Sequence, residues 1–265
     1  MFFKLIFVEK LIAMFSSTNS ASNPDSEKIL ENISVDCVIF GYDENELKVL
    51  VRKESVLFNN SIYTEWKLPG NHVRRNETID ATALRILKEQ TGLEKIYVKQ
   101  FMVFSDPDRL KKRNQDYEWI KPRLIDDRVL TVGFYSLINI KDIDNSLLIE
   151  DAKWTNAYDI KELMFDHKEI FDEALLKLRY DLLHDPIVFE LLPRKFTLTQ
   201  MQRLYEAIFN TVYDKRNFRK KVGKIQYVIP LNETQTKVPH SPARYYMFDR
   251  NLYEQTKRDR FDFKI

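Results

Sequence analysis

Residues 1–15 (MFFKLIFVEKLIAMF) are apolar but broken by Lys4, Glu9 and Lys10, so no run approaches the ~18 apolar residues that span a bilayer. The Ser/Asn-rich stretch at 16–26 has a linker's composition. Residues 1–27 therefore read as an extension outside the fold, disordered or begun upstream of a more natural start at Met14. From residue 33 the pattern changes. Residues 35–40 (VDCVIF) and 47–52 (LKVLVR) are β-branched runs separated by Gly-Tyr-Asp-Glu-Asn, which predicts a hairpin. Residues 66–70 (WKLPG) predict a short strand ending in a turn. Residues 78–91 carry Ile79, Ala83, Ile86 and Leu87 at helical spacing, with Gly92 placed to end the helix.

Strands are expected at 96–104 and 128–138, with a long charged loop at 105–127 between them, and helices at 159–164 and 167–184. The proline-bounded segment 185–193 reads as a domain junction. Two helical patterns, 198–209 and 214–223, are followed by β-like runs at 226–230 and 245–248. Helix–turn–helix followed by a two-stranded flap is the winged-helix plan.

Composition narrows the chemistry. Five glycines stand where average usage of about 7% would give roughly eighteen. No G-x-G-x-x-G, G-x-x-x-x-G-K-[ST] or G-x-S-x-G occurs, so dinucleotide-fold, P-loop and serine-hydrolase readings lack their phosphate cradle or elbow. The lone Cys37 permits neither an intramolecular disulfide nor a cysteine-based zinc site, which favours a reducing compartment, the cytoplasm. The overall charge of +2 hides an asymmetry: residues 194–265 hold 16 Lys and Arg against 7 Asp and Glu, while 1–193 hold 26 against 33. A basic C-terminal piece on a mildly acidic body fits a nucleic-acid partner or a solvated basic face.

Residues 68–77 (LPGNHVRRNE) followed by 85–93 (RILKEQTGL) resemble the Nudix box, which runs glycine, five residues, glutamate, seven residues, then R-E-U-x-E-E-x-G-U with U aliphatic. With Asn71 in the glycine position, Glu77, Arg85, Leu87, Glu89, Gly92 and Leu93 fall in register without a gap. The resemblance implies an α/β fold, a mixed sheet sandwiched by helices. In active members, three carboxylates of the R-E-U-x-E-E run share one helical face and hold the divalent cations that neutralise a pyrophosphate and activate water. Those positions are Ile86, Glu89 and Gln90 here. The box is degenerate: no catalytic set, metal or cofactor is expected. Glu77 and Arg85 read as an ion pair tying loop to helix. Glu89 is a solvated residue, an arginine's partner or a remnant of the pyrophosphate site.

Residues 196–208 (FTLTQMQRLYEAI) and 214–221 (DKRNFRKK) resemble the DNA-binding half of the Nudix-related transcriptional regulators, in which a degenerate Nudix domain precedes a C-terminal winged helix. Some members respond to ADP-ribose, others to sugars such as arabinose. The resemblance implies a Nudix-like effector-binding domain at 28–185, a winged-helix DNA-binding domain at 186–265, and a homodimer on double-stranded operator DNA, with no membrane partner. The residues agree. Thr199 is placed to cap a helix whose Met201, Leu204 and Ile208 face inward, and Asp214 to begin the next. That second helix presents Lys215, Arg216, Asn217, Arg219 and Lys220 around Phe218, with Lys237 and Arg244 in the wing; such side chains suit base edges and phosphates. Arg52, Trp66, Arg74, Glu89, Arg109 and Arg128 are the expected walls of a pocket for a sugar or an ADP-ribose-like effector. The expected function is a transcriptional regulator, such as a repressor, that releases or tightens on its operator when the effector binds. The alternative is an active Nudix hydrolase of a nucleoside diphosphate-linked substrate, with Glu77 and Glu89 as non-standard metal ligands.

Overall fold

The computed structural model describes residues 28–94, 96–121, 124, 128–143, 151–236 and 242–256. The expectations for residues 1–27, for Lys237 and for the last nine residues lie outside these. Strands β1 (Ile29–Tyr42) and β2 (Leu47–Phe58) form the expected hairpin, with Phe40 opposite Val49. Both run longer than the apolar pattern alone predicts. β2 continues into β3 (Ser61–Lys67), and β4 (Gly70–Arg74) returns beside β1. Further on lie β5 (Tyr97–Phe104), β6 (Leu130–Asn139) and β7 (Ala152–Asn156). The seven-stranded sheet has the path β3-β2-β1-β6-β5, with β4 on β1 and β7 on β2. Among the described strands of this sheet only β1 and β6 pair in parallel, so the sheet is mixed.

Alternation along β1 explains the layers, because successive side chains of a strand point to opposite faces. Val35, Cys37 and Ile39 join Ala83, Ile86 and Leu87 of helix α1 (Ile79–Thr91) in one apolar cluster. Val38, Phe40 and Tyr42 join Ile170, Phe171, Ala174 and Leu178 of helix α3 (His167–His184) in the other. The sheet is thus sandwiched between α1 and α3. Thr78 caps α1 by accepting from Ala81 N, and Gly92 ends it at φ 72°, a left-handed conformation suited to glycine.

Two local expectations change. The expected loop at 105–127, described here through residue 121 and at 124, is not bare: it holds a 3-10 turn, Arg109–Lys111, and helix α2 (Asn114–Ile120), anchored by buried Leu110 and Trp119. Residues 159–164 do not form a helix. A 3-10 turn, Ala157–Asp159, ends there, and buried Leu163 and Met164 continue as irregular chain, with Met164 N donating to Trp66 O at 2.8 Å. That tertiary hydrogen bond and Phe165 at φ 56° take the backbone off the helical path.

The proline-bounded junction is buried rather than a free linker. Its 3-10 turn Pro186–Glu190 places Ile187 and Val188 in the same cluster as α3, and Leu191 and Leu192 follow. That cluster runs on through β8 (Phe196–Thr197), α4 (Leu198–Phe209), α5 (Lys215–Val222) and β9 (Val228–Thr234) to α6 (Arg250–Thr256). With β10 (Arg244–Phe248) in the middle, β8, β10 and β9 form a three-stranded sheet beside α4 and α5, completing a winged helix. The cap of α4 is Thr197, not Thr199: Thr197 Oγ1 accepts from Gln200 N while Gln200 Oε1 accepts from Thr197 N, a reciprocal box that satisfies two helix-end donors.

Candidate effector cleft and nucleic-acid interface

On α1 the box is held as a structural device. Arg85 donates to Glu77 from Nε (2.8 Å) and Nη2 (3.0 Å), and from Nη2 to His72 O (3.2 Å). Thr82 Oγ1 adds a third donor to Glu77 at 3.0 Å. Burial opposes ionisation of Glu77, but the Arg85 and Thr82 hydrogen bonds outweigh it and hold the carboxyl below its usual range. Glu89 is exposed and, among the described residues, pairs with Arg85 at 3.5 Å. Ile86 and Gln90 are buried, Ile86 in the apolar cluster under the sheet. Two of the three family carboxylate positions therefore face inward, and among the described residues no group of three His, Cys, Asp or Glu side chains is arranged to hold a metal.

On the other side of β1 opens a cleft of about 390 Å³, between the start of β1, the β3–β4 turn, α2 and the start of α3. Its wall is apolar where Leu110, Ile120, Val129 and Phe165 line it, and polar at Glu31, Asp36, Lys67, Asn71, His72, Arg109 and His167. The floor is rigidly built. Arg109 is buried and grips Asp166 with two hydrogen bonds of 2.8 Å. Asp36, also buried, reaches Arg109 Nη2 and His167 Nε2, each at 3.8 Å. A Cβ at position 70 would lie 1.8 Å from Asp36 Oδ1, so this carboxylate needs Gly70 beneath it. Leu68 N donates to His167 Nδ1 at 3.0 Å, which leaves the proton of the neutral ring on Nε2, pointing toward Asp36. Burial pushes the His167 pKa below its usual value, against the opposing pull of Asp36 and Asp166. Phe165 keeps its left-handed backbone with its N–H on the buried Asp116 carboxylate at 2.7 Å. A bulky residue there is strained, and such strain collects at binding sites.

Of the residues expected to wall an effector pocket, only Arg109 lines this cleft. Arg52 lies mid-sheet opposite Lys67, its Nε buried. Trp66 packs on the core with Lys153 Nζ 3.9 Å from its ring centroid. Arg74 leans on Glu77 at 3.7 Å, and Arg128 and Glu89 lie outside the lining. Asp36, Phe165, Asp166 and His167 were not singled out from sequence; the signal for Asp36 was a charged residue on the strand face that also carries Val38 and Phe40.

In the winged helix, Asp214 caps α5 by accepting from Asn217 N at 2.8 Å, and Phe218 and Val222 anchor it in the core. Lys215, Arg216, Asn217, Arg219 and Lys220 are all exposed. Lys215 and Arg219 share a groove of about 700 Å³ with Arg244 of β10. Arg244 also braces the wing, donating to Leu231 O (2.7 Å) and Asn232 Oδ1 (3.3 Å). Asn217 and Lys220 line a second depression with Lys221 and Lys224. One short helix thus presents a cationic surface on two sides of its buried anchor.

Residues 31–174 match the NUDIX domain family and residues 188–248 the NrtR DNA-binding winged helix domain. A curated relative from Acinetobacter baylyi, the ADPR responsive transcriptional repressor NtrR, is 28% identical over 228 residues, 84% of each chain. Among solved structures, Shewanella oneidensis NrtR complexed with a 27mer DNA aligns with TM-score 0.63 at 24% identity, over 84% of this chain and 95% of that one. A MutT/nudix family protein from Enterococcus faecalis aligns with TM-score 0.58 at 24% identity, over 83% and 88%. With its box helix packed under a mixed sheet and a winged helix fused behind it, the chain belongs to the NUDIX domain family.

Proposed function

We propose that the chain is a DNA-binding transcriptional regulator whose degenerate Nudix-like domain, residues 28–185, senses a small metabolite and controls operator binding by the winged-helix domain, 186–265. The carrying observation is the α5 surface: Lys215, Arg216, Asn217, Arg219 and Lys220 exposed around buried Phe218, on a winged helix whose core is continuous with α3. In this reading Arg216, Asn217 and Arg219 meet base edges, and Lys215, Lys220 and Arg244 meet phosphates. A homodimer supplies two recognition helices to paired half-sites. The relative named an ADPR responsive repressor supports metabolite control. Nudix hydrolysis by the usual mechanism is absent in this reading, because Glu77 is committed to Arg85 while Ile86 and Gln90 are buried.

Helix α3 supplies the route between the sites. Its first residue, His167, lies on the cleft, and eighteen residues at about 1.5 Å each carry it some 27 Å toward the second domain. There Tyr205 of α4 donates to Leu182 O at 3.4 Å. Fluorescence anisotropy with labelled DNA from upstream of the chain's own operon tests the function. Arg216→Ala with Arg219→Ala should weaken binding at least 10-fold, from about 1–3 kcal/mol for each base-contacting arginine, and relax discrimination against unrelated DNA. Equal binding by wild type and the double variant would sink the reading.

A further inference from the structure

A second hollow lies where the two domains meet. It encloses about 660 Å³ between Tyr42, Glu44 and Asn139 of the first domain, the junction residues 191–193, and Thr199, Arg203, Lys215 and Arg219 of α4 and α5. Arg203, Lys215 and Arg219 pair with no carboxylate among the described residues. The one carboxylate in the lining, Glu44, is already bound to Lys141 at 2.8 Å. Like charges gathered in one hollow repel, and an anion with several acceptor oxygens relieves that repulsion. Helix α4 starts within the same lining, so its dipole adds positive potential. Arg203 and Lys215 are exposed, which leaves them open to a ligand. Tyr42 is buried; burial and Glu44 keep its hydroxyl protonated against the pull of Arg203, so it stays a neutral donor.

We infer that this junction hollow is a second binding site, for a phosphate group held by Arg203 and Lys215, with Arg219 shared between that phosphate and the operator. Lys215 and Arg219 stand one helical turn apart on α5, and both also line the wing groove with Arg244. Two sources can deliver the phosphate. A free phosphate ester would fit the volume, which falls inside the ~300–1,000 Å³ of ligand pockets, and would occupy cations that DNA needs. The operator's own backbone would instead carry the DNA footprint past the recognition helix to Arg203 and the rim of the first domain. The phosphate site stands without the regulator reading; its effect on the operator rests on it.

The test compares the full-length wild type with Arg203→Gln, which removes the charge and keeps a polar side chain. Calorimetry with inorganic phosphate and with ribose 5-phosphate is run against chloride at equal ionic strength, and DNA anisotropy is run across a salt series. If a free phosphate fills the site, it binds the wild type about 10-fold more tightly than Arg203→Gln and displaces operator from the wild type more readily. Without phosphate the two chains then hold DNA equally. If the backbone fills it, Arg203→Gln weakens operator and unrelated DNA alike, about 3- to 10-fold, and lowers the salt slope by about 1. Arg203→Gln equal to wild type in both assays overturns the inference. An equal loss in Arg250→Gln also overturns it, because Arg250 lies outside the hollow, on Glu190 at 3.0 Å, and reports net charge alone. Phosphate binding through Arg203 without operator binding defeats only the regulator; operator binding with neither phosphate binding nor an Arg203 effect defeats only this site.

Discussion

The contact between the two domains carries a prediction that can be worked through. The last carbonyls of a helix have no partner within it. At the end of α4, Ala207 O and Ile208 O are met from the first domain: Tyr158 Oη lies 2.9 and 2.5 Å from them, and Arg179 Nε of α3 donates to Ile208 O at 3.0 Å. Arg179 Nη2 also reaches Tyr158 Oη, at 3.3 Å. A charged donor on a part-buried carbonyl contributes ~1.5–3 kcal/mol, and a cation at a helix C-terminus ~0.3–1 kcal/mol, partly the same energy counted twice. Arg179→Met, which keeps the length of the stem, should therefore cost about 2 kcal/mol. Tyr158→Phe should cost about 1 kcal/mol. The two share Ile208 O, so the double variant should cost less than their sum by ~0.5 kcal/mol or more.

The assay follows from where the tryptophans sit: Trp66, Trp119 and Trp154 all lie in the first domain. Urea unfolding followed by tryptophan fluorescence reports that domain, and far-ultraviolet circular dichroism reports both. In the wild type the shared core should make the two transitions coincide. In the double variant dichroism should begin to fall first, because the winged helix has lost its tie. Coincident curves with midpoints unmoved in all three variants would show that these hydrogen bonds contribute nothing to domain docking.

Two further predictions concern buried ionisation. Ile86→Glu, which restores a box carboxylate, puts that group in the cluster of Val35, Cys37 and Leu87 and should destabilise by ~3 kcal/mol or more; the penalty grows as pH rises above the usual carboxylate range, so equal melting losses at pH near 5 and near 8 would refute it. His167 has a folded-state pKa below its usual 6.5, so the unfolded chain takes a proton that the folded chain refuses: its contribution is intact above pH 6.5 and is lost as pH falls through that value, and His167→Gln should flatten this slope of urea midpoint against pH relative to wild type.

Much of the scaffold could be read from the sequence because local chemistry and burial agree there. Helix α3 has the bounds its apolar spacing gave, and α1 and α5 begin after the cap residues Thr78 and Asp214. The α4 cap was legible but misread: Thr197-Leu-Thr-Gln200 spells the capping box, and Thr199 merely stands inside it. Strands β4 and β7 are five residues each and owe their form to pairing with β1 and β2, distant in sequence, which no local pattern carries. The cleft was least legible. It joins Asp36 in a strand, Arg109 in a 3-10 turn, and Phe165, Asp166 and His167 at a helix start, and only the fold brings these together.

The altered box and the altered cleft point the same way. A pyrophosphate site has to balance the charge of its ligand, and it does so with metal-holding carboxylates or with free cations. Here Ile86 and Gln90 are turned into the interior, and Lys67 and Arg109 are neutralised by Glu54 and Asp166. The folded chain thus balances these two cations internally. The cleft residues Phe165 and His167 sit at the entrance and first turn of α3, and Arg179 of α3 donates to Ile208 O at the end of α4 while Leu182 O accepts from Tyr205. A ligand that prefers one setting of that first turn by 1–3 kcal/mol, an ordinary coupling energy, would change operator affinity roughly 5- to 150-fold without touching the DNA-binding domain.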